Sequence, residues 1–326
     1  MSGVLAFGDF TKGTLSSLSF EVVEAARKIA EELGEPLLGG LIGPDVADGS
    51  QEFLAAGMSE LFVVSGSEYD PYVGDAFVAA GEAIIRQASP SVVLFPHTLS
   101  SREWVPRLAA RLDTGLTTDC VRLSVENRQV VMTKPVYGGS VFAEYVVVGT
   151  PQMATIRTGA YEGVSGEMTG SIVKVDVAQV DSRVTVLEEV PDVVTSGPQL
   201  KDAKVIVTGG LGVGGPEHWH LIEETAAAFG GAVGATRAVT DLGWVPSSYQ
   251  VGLTGVNVSP DLYIAIGVSG AIQHMAGITQ AKTVVAINRD PEANIFTVAR
   301  YGAVGDAKEI VSAFAERVKQ LRDASE

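Results

Sequence analysis

Leu262-Tyr263-Ile264-Ala265-Ile266-Gly267-Val268-Ser269-Gly270-Ala271-Ile272-Gln273-His274 is the stretch that decides the fold. A short apolar run reads as a buried strand, glycines end it, and a helix is expected beyond. Strand, glycine turn and helix in that order build an open parallel α/β sheet, whose ligands lie beyond the carboxyl ends of its strands. The same order stands upstream, where Val205-Ile206-Val207 runs into Gly209-Gly210-Leu211-Gly212-Val213-Gly214-Gly215 and a helix is expected over 217–229. Downstream, residues 283–287 read as a further buried strand and 307–322 as a closing helix. This second unit therefore reads as a Rossmann-like α/β domain.

The N-terminal half opens with the same alternation. Apolar runs at 4–7, 37–42, 61–64 and 92–95 are separated by helical patterns at 19–33, 73–88 and 102–112, with Val22, Ala26, Ile29 and Leu33 on one face of the first. These predict a parallel sheet covered by helices. After Gly115 the helices stop. Segments 120–125, 129–133, 140–147, 152–157 and 171–177 are rich in Val, Thr and Tyr and predict successive, mostly antiparallel strands, a β appendage on the α/β sheet. The joint between the units is expected at Val190-Pro191-Asp192-Val193-Val194-Thr195-Ser196-Gly197-Pro198, giving domains over 1–195 and 196–326.

Composition bounds the function. The chain has 326 residues, 39 acids against 23 bases and a formal charge of −16, and 46% of it is hydrophobic. Such a chain folds into a sizeable core and lacks the basic footprint that nucleic acid requires. Residues 1–199 carry 13 bases and 26 acids, net −13, and residues 200–326 carry 10 and 13, net −3. A solvated acidic face is the simpler explanation of that excess, ahead of a docking role. The single cysteine, Cys120, excludes an internal disulfide and reads as a small buried apolar side chain. With no basic leader and no apolar run of membrane-spanning length, a cytoplasmic protein without direct membrane insertion is expected.

Chemistry concentrates in the two glycine junctions. Gly209 to Gly215 contains G-G-x-G but not the spacing of a dinucleotide fingerprint or a P-loop, so alone it fits a tight turn as well as a phosphate cradle. The turn from Gly267 to His274 places hydroxyl, amide and imidazole groups together, more polar function than packing needs. Among the other histidines, His97 reads as loop surface, and His218 and His220 as capping or solvent-exposed residues at a helix start. No catalytic residue, nucleophile elbow, paired-carboxylate site or metal-ligand spacing is read from the sequence.

The stretch from Leu262 to Gly277 resembles the signature of the electron-transfer flavoprotein alpha-subunit family. So do Thr283-Val284-Val285-Ala286-Ile287-Asn288-Arg289-Asp290-Pro291-Glu292-Ala293 and Tyr301-Gly302-Ala303-Val304-Gly305-Asp306. Gly234-Ala235-Thr236-Arg237 and Gln250-Val251-Gly252-Leu253-Thr254-Gly255 follow the family's order, and Arg107 to Cys120 and Pro151 to Arg157 extend the likeness through the first unit. The resemblance implies a heterodimer with a beta subunit, which the first domain would contact, and one FAD held mainly by the second. It implies an electron carrier between flavin dehydrogenases, such as acyl-CoA dehydrogenases, and a membrane quinone oxidoreductase. The alternatives are a subunit of an electron-bifurcating, NADH-dependent complex and a binding module that has lost redox function.

By the family pattern Arg237 lies against the flavin ring, Thr254 bonds near N5 and His274 reaches O2. Thr236, Ser269 and Gln273 serve the ribityl and pyrophosphate region, and Asn288 and Asp306 the adenosine side. The flanking Gln250, Val251, Gly252, Leu253, Gly270, Ala271 and Ile272 complete the implied cofactor-binding set. Four positions depart from the pattern. Leu211 replaces a usual arginine and Leu253 a usual glutamine, while Arg300 and Asn294 stand where an acid and a proline are frequent. The two leucines predict a less stabilised one-electron-reduced anionic flavin and a lower first-electron potential.

Overall fold

Alternation of side chains across extended backbone explains both sheets of the computed structural model. Val4 and Ala6 join one core cluster and Leu5 and Phe7 another, so the first strand is buried on both faces. The structure describes residues 2–323 apart from 12, 140, 165, 167–169, 179, 181, 190–198 and 202. It divides into residues 1–190 and 191–326. The boundary expected at 195/196 lies outside the described residues.

In the first unit, β1 (Val4–Phe7) is followed by the two-residue strands β2 (Phe10–Thr11) and β3 (Thr14–Leu15), which pair with each other. Helix α1 (Ser17–Leu33) buries Val22, Ala26, Ile29 and Leu33, as the periodicity predicts. There follow β4 (Leu37–Gly43), α2 (Ala47–Leu54), β5 (Glu60–Ser65), α3 (Gly74–Ala88), β6 (Val92–Pro96) and α4 (Leu99–Arg111). Phe7 stacks on Phe95 at 4.7 Å, and Trp104 of α4 meets Phe95 edge-on at 5.4 Å, fixing α4 to its face of the sheet.

Beyond α4 come β7 (Leu116–Cys120), β8 (Arg122–Glu126), β9 (Gln129–Val136), β10 (Val141–Val146), β11 (Gln152–Ile156) and β12 (Ser171–Lys174). The expected antiparallel appendage is confined to β8, β9 and β10. The strands at 152–156 and 171–174 correct the sequence reading, because both run parallel in a seven-stranded sheet ordered β12-β5-β4-β1-β6-β11-β7. Cys120 closes β7, in register with Ile156, instead of opening the next strand. It is buried as expected, and burial pushes its thiol up to about 12. The outer strand of the appendage exposes Val141, Phe142, Tyr145 and Val146.

Insertion of β11 beside β6 also corrects the reading of His97. The His97 N–H donates to the Ile156 carbonyl at 2.9 Å, and its Nδ1 lies 2.8 Å from Thr155 Oγ1. Thr155 Oγ1 accepts from the Asp119 N–H at 2.9 Å, and Arg157 Nε donates to Asp119 Oδ1 at 2.7 Å. His97 is thus a largely buried member of a polar cluster, and burial pushes its imidazole down to about 4.

The second unit runs β13 (Val205–Gly209), α5 (His220–Phe229), β14 (Ala232–Ala235), α6 (Arg237–Asp241), β15 (Leu262–Ile266), α7 (Ile272–Met275), β16 (Thr283–Asn288), β17 (Tyr301–Val304) and α8 (Ala307–Asp323). Its five strands are all parallel in the order β14-β13-β15-β16-β17. One face buries Ile206, Tyr263 and Ala265, and the other packs Val207, Ile264 and Ile287 against Trp219, Ile222 and Ala226. The helix expected from 217 begins at His220, after a single 3₁₀ turn over Pro216–His218.

Candidate functional site

Strand order reverses at β13, since its chain successor β14 lies on one side and β15 on the other. That reversal opens a crevice at the carboxyl ends of β13 and β15, where ligands of open α/β sheets bind. Both glycine junctions meet there. Gly212 donates its N–H to the Gly267 carbonyl at 2.9 Å, and Gly210 to the Ile266 carbonyl at 2.9 Å. A Cβ on Gly210 would collide with the Gly267 oxygen, and one on Gly267 would stand 2.6 Å from the Gly212 carbonyl carbon. Only glycine allows the two turns to touch backbone to backbone.

The remaining segments are stitched to these turns. Thr236 N–H donates to the Gly209 carbonyl at 3.1 Å, starting α6 directly after β14. Leu253 N–H donates to the Gln273 carbonyl at 2.8 Å, joining the loop after Gln250 to the turn of His274. Gln250 braces that loop internally: its Nε2 donates to Thr254 Oγ1 at 2.9 Å, and its Oε1 accepts from Thr240 Oγ1 at 3.1 Å. Asn288 Nδ2 donates to the Val268 carbonyl at 2.8 Å, and the Ile295 N–H reaches the Ser269 carbonyl at 3.2 Å. The carboxyl ends of β13, β14, β15 and β16 therefore share one framework.

Of the residues that the family pattern implies, Ser269, Ala271, Ile272, Gln273 and Thr254 are exposed, whereas Val251, Gly252, Gly270 and Asn288 are buried supports. Arg237 is exposed, and its Nε donates to Asp241 Oδ2 at 3.2 Å, one turn along α6. Asp306 Oδ1 accepts the Lys308 N–H at 2.8 Å and opens α8. Leu211 and Leu253 stand 47% and 48% exposed on the two loops, and Ile272 is 60% exposed on α7. Apolar side chains left open among hydroxyl, amide and guanidinium groups suit a ligand with a flat apolar ring and a polar tail.

His274 is arranged differently from the others. It is buried, its Nδ1 lies 3.0 Å from the Val251 carbonyl oxygen, and its Nε2 lies 3.0 Å from Tyr263 Oη. A carbonyl oxygen only accepts, so Nδ1 carries the proton and the Nε2 lone pair of the neutral ring accepts from the Tyr263 hydroxyl. Burial pushes the imidazole down to about 4, which keeps it neutral at pH 7. Contact between Nε2 and a flavin O2, the role implied for this residue, therefore requires Nε2 to leave Tyr263 and to carry a proton, since a carbonyl oxygen only accepts. Sequence reading misses Tyr263 and Thr240. Tyr263 does carry a signal, being the one polar-tipped side chain in the otherwise apolar Leu262–Ile266.

The fold and this crevice define a flavoprotein-type α/β protein, and comparison with known proteins narrows the class. The electron transfer flavoprotein domain family matches residues 4–180, and the electron transfer flavoprotein FAD-binding domain family matches residues 199–279. The chain is 39% identical to the electron transfer flavoprotein subunit alpha of Bacillus subtilis, covering 98% of each chain. It is 37% identical to the corresponding subunit of Thermoanaerobacterium thermosaccharolyticum, covering 97% of each. It is also 34% identical to subunit LctC of the lactate dehydrogenase (NAD(+),ferredoxin) of Acetobacterium woodii, over 95% of this chain and 75% of that one. The chain belongs to the electron-transfer flavoprotein alpha-subunit family, and its second unit is an FAD-binding domain.

Proposed function

We propose that this chain is the alpha subunit of a cytoplasmic heterodimeric electron carrier. It takes electrons from flavin dehydrogenases of the acyl-CoA dehydrogenase type and passes them to a quinone oxidoreductase. The observation carrying this reading is the crevice of the second unit, where backbone-to-backbone glycine turns, exposed leucines and hydrogen-bonding side chains converge. Such a site is shaped to hold a redox group, with the protein supplying binding and orientation.

The cradle fits FAD. Bound there, FAD supplies one-electron chemistry, and the protein supplies shape and electrostatics. We assign the exposed Ser269 and Gln273 to the polar tail, and Arg237, Thr254, Leu211 and Leu253 to the ring. Arg237 is held by a solvent-exposed ion pair, which costs little to break, so its guanidinium is able to swing to an anionic ring. The first domain carries the beta-subunit interface in this reading, and the exposed apolar residues of β10 are the surface a partner would cover.

Co-expression with a beta subunit tests the proposal. Copurification with flavin absorbance and one extracted FAD per heterodimer is the expected result. Two FADs, with NADH oxidation in the absence of any dehydrogenase, would move the assignment to a bifurcating complex, the reading favoured by the likeness to an NAD(+),ferredoxin-linked subunit. A heterodimer that stays colourless after reconstitution would leave only a binding role.

Leu211 and Leu253 set the potential in this reading. Each replaces a polar side chain usual in the family, and a charge-assisted hydrogen bond to a reduced flavin contributes roughly 1.5–3 kcal/mol. Leu211→Arg should therefore raise the first-electron potential by on the order of 65–130 mV. Potentiometry of the FAD-loaded heterodimer reads this directly, and an unchanged potential would remove Leu211 from the ring's surroundings.

A further inference from the structure

We propose that Gln250 is the positioning residue that makes the hydroxyl of Thr254 a hydrogen-bond donor toward the crevice. The proposal rests on the FAD assignment above. Gln250 is only 9% exposed, and its backbone is held on both sides. Its N–H donates to the Ser247 carbonyl at 2.9 Å, and its carbonyl accepts the Val256 N–H at 2.8 Å. A carboxamide loses water in such a place and is retained only where both of its ends find partners. The partners are two hydroxyls. Thr240 lies on α6, the helix that begins at Arg237, and Thr254 is exposed on the loop beyond Gln250.

The direction of these bonds decides what Thr254 offers. Thr240 Oγ1 donates to Gln250 Oε1 at 3.1 Å, and Gln250 Nε2 donates to Thr254 Oγ1 at 2.9 Å. A hydroxyl has one proton, and an amide nitrogen only donates. With Nε2 on one of its lone pairs, Thr254 cannot give its proton to Gln250, so that proton is left for the open side of the loop. The competing arrangement has Thr240 donating to the Arg237 carbonyl, 2.9 Å away, and accepting from an amide turned end for end. Thr254 would then give its proton to Oε1 and face the crevice as an acceptor alone. Three donors in a row polarise one another, which strengthens the last. An outward donor also suits an oxidised isoalloxazine, whose N5 carries no proton and accepts. Methionine has nearly the shape of glutamine and would fill the same space, so packing does not account for the amide.

The test takes the full chain with its beta subunit and reads it twice. In FAD-free, ¹⁵N-labelled protein the side-chain carboxamide of Gln250, assigned through its own backbone N–H, should show one hydrogen-bonded proton. Thr254→Val, a substitution on an exposed loop, should release that proton to the shift of a free amide. A carboxamide unchanged in Thr254→Val would overturn the proposal, because the amide nitrogen would then face Thr240. In FAD-loaded protein Gln250→Met should move the ¹⁵N5 signal of labelled, oxidised FAD toward that of an unbonded ring. The same variant should lower the equilibrium constant for the first electron about tenfold, which corresponds to about 59 mV. In the Thr254→Val background Gln250→Met should change neither. Equal effects in both backgrounds, or none in either, would show that Gln250 does not act on the ring through Thr254. Protein that holds no FAD would sink the functional assignment, while the carboxamide spectra would still decide whether Gln250 donates to Thr254.

Discussion

Gly267→Ala should cost about 2–5 kcal/mol of stability in the second unit and abolish FAD retention. Two independent penalties add. Gly267 sits at φ 63°, where an L side chain costs roughly 1–2 kcal/mol. Its new methyl group would stand 2.6 Å from the Gly212 carbonyl carbon and the Val213 nitrogen, main-chain atoms that no rotamer change can remove. Forcing an extra carbon into such a contact costs roughly another 1–3 kcal/mol. Relief would come only by separating the turns after β13 and β15, which form the crevice. Gly230 provides a matched control, since it has the same φ of 63° at the end of α5, and nothing lies within 4 Å of where its Cβ would stand. Gly230→Ala should lose only the dihedral penalty and keep its FAD. Urea unfolding and extracted flavin content compare the two variants, and equal losses would show that the contact between the turns is unimportant.

What can be read from the sequence follows how local the determining forces are. Strands β13, β15 and β16 announce themselves because buried parallel strands are dense apolar runs. Strands β14 and β17 do not, because Ala-Val-Gly-Ala and Tyr-Gly-Ala-Val are short edge strands with little apolar bulk. The direction of β11 and β12 escapes for another reason. Val- and Thr-rich segments predict extended backbone, but pairing partners are set by contacts far along the chain, such as Gln152 beside Val92. His97 is misplaced in consequence, since its partner Thr155 lies on a strand that the local pattern leaves outside the sheet.

The candidate site divides along the same line. The glycine turns and the polar residues after β15 are visible as residue types at a strand end. The two bonds that govern His274 are not, because one partner is a backbone carbonyl 23 residues away, which any residue at that position would supply. The other is a tyrosine 11 residues away, visible only as an oddity in an apolar strand. The family pattern supplies a role for His274, and the geometry supplies the protonation state in which that role must begin.

That protonation state makes the second unit the acid-sensitive one. His274 titrates at 6.5 when unfolded and at about 4 when folded, so the unfolded chain binds the additional proton between those values. Its contribution to stability is complete above pH 6.5 and is lost as pH falls through 4, with about 2 kcal/mol gone by pH 5. His97 imposes the same loss on the first unit, its imidazole also falling from 6.5 to about 4. There, however, Glu21 acts in the opposite sense. Burial pushes its carboxyl from 4.5 up to about 7, against the pull of backbone N–H groups that include Gly159 at 2.7 Å. A raised carboxyl gives stability that is complete below 4.5 and lost as pH rises through 7, so His97 and Glu21 largely cancel between pH 4.5 and 6.5. In the second unit the Lys282 ammonium holds the Asp261 carboxyl below its ordinary value, a shift that does not oppose His274. Hydrogen exchange at pH 7 and pH 5 should therefore show β13, β15 and the turn at Gly267 losing protection about thirtyfold, while β1 and β6 change little. His274→Asn should remove the difference between the units, and Glu21→Gln should make the first unit as acid-sensitive at its own His97 as the second is at His274. Equal acid sensitivity of the two units in the parent protein would contradict the buried neutral state of His274, and with it the starting point of its role at the flavin.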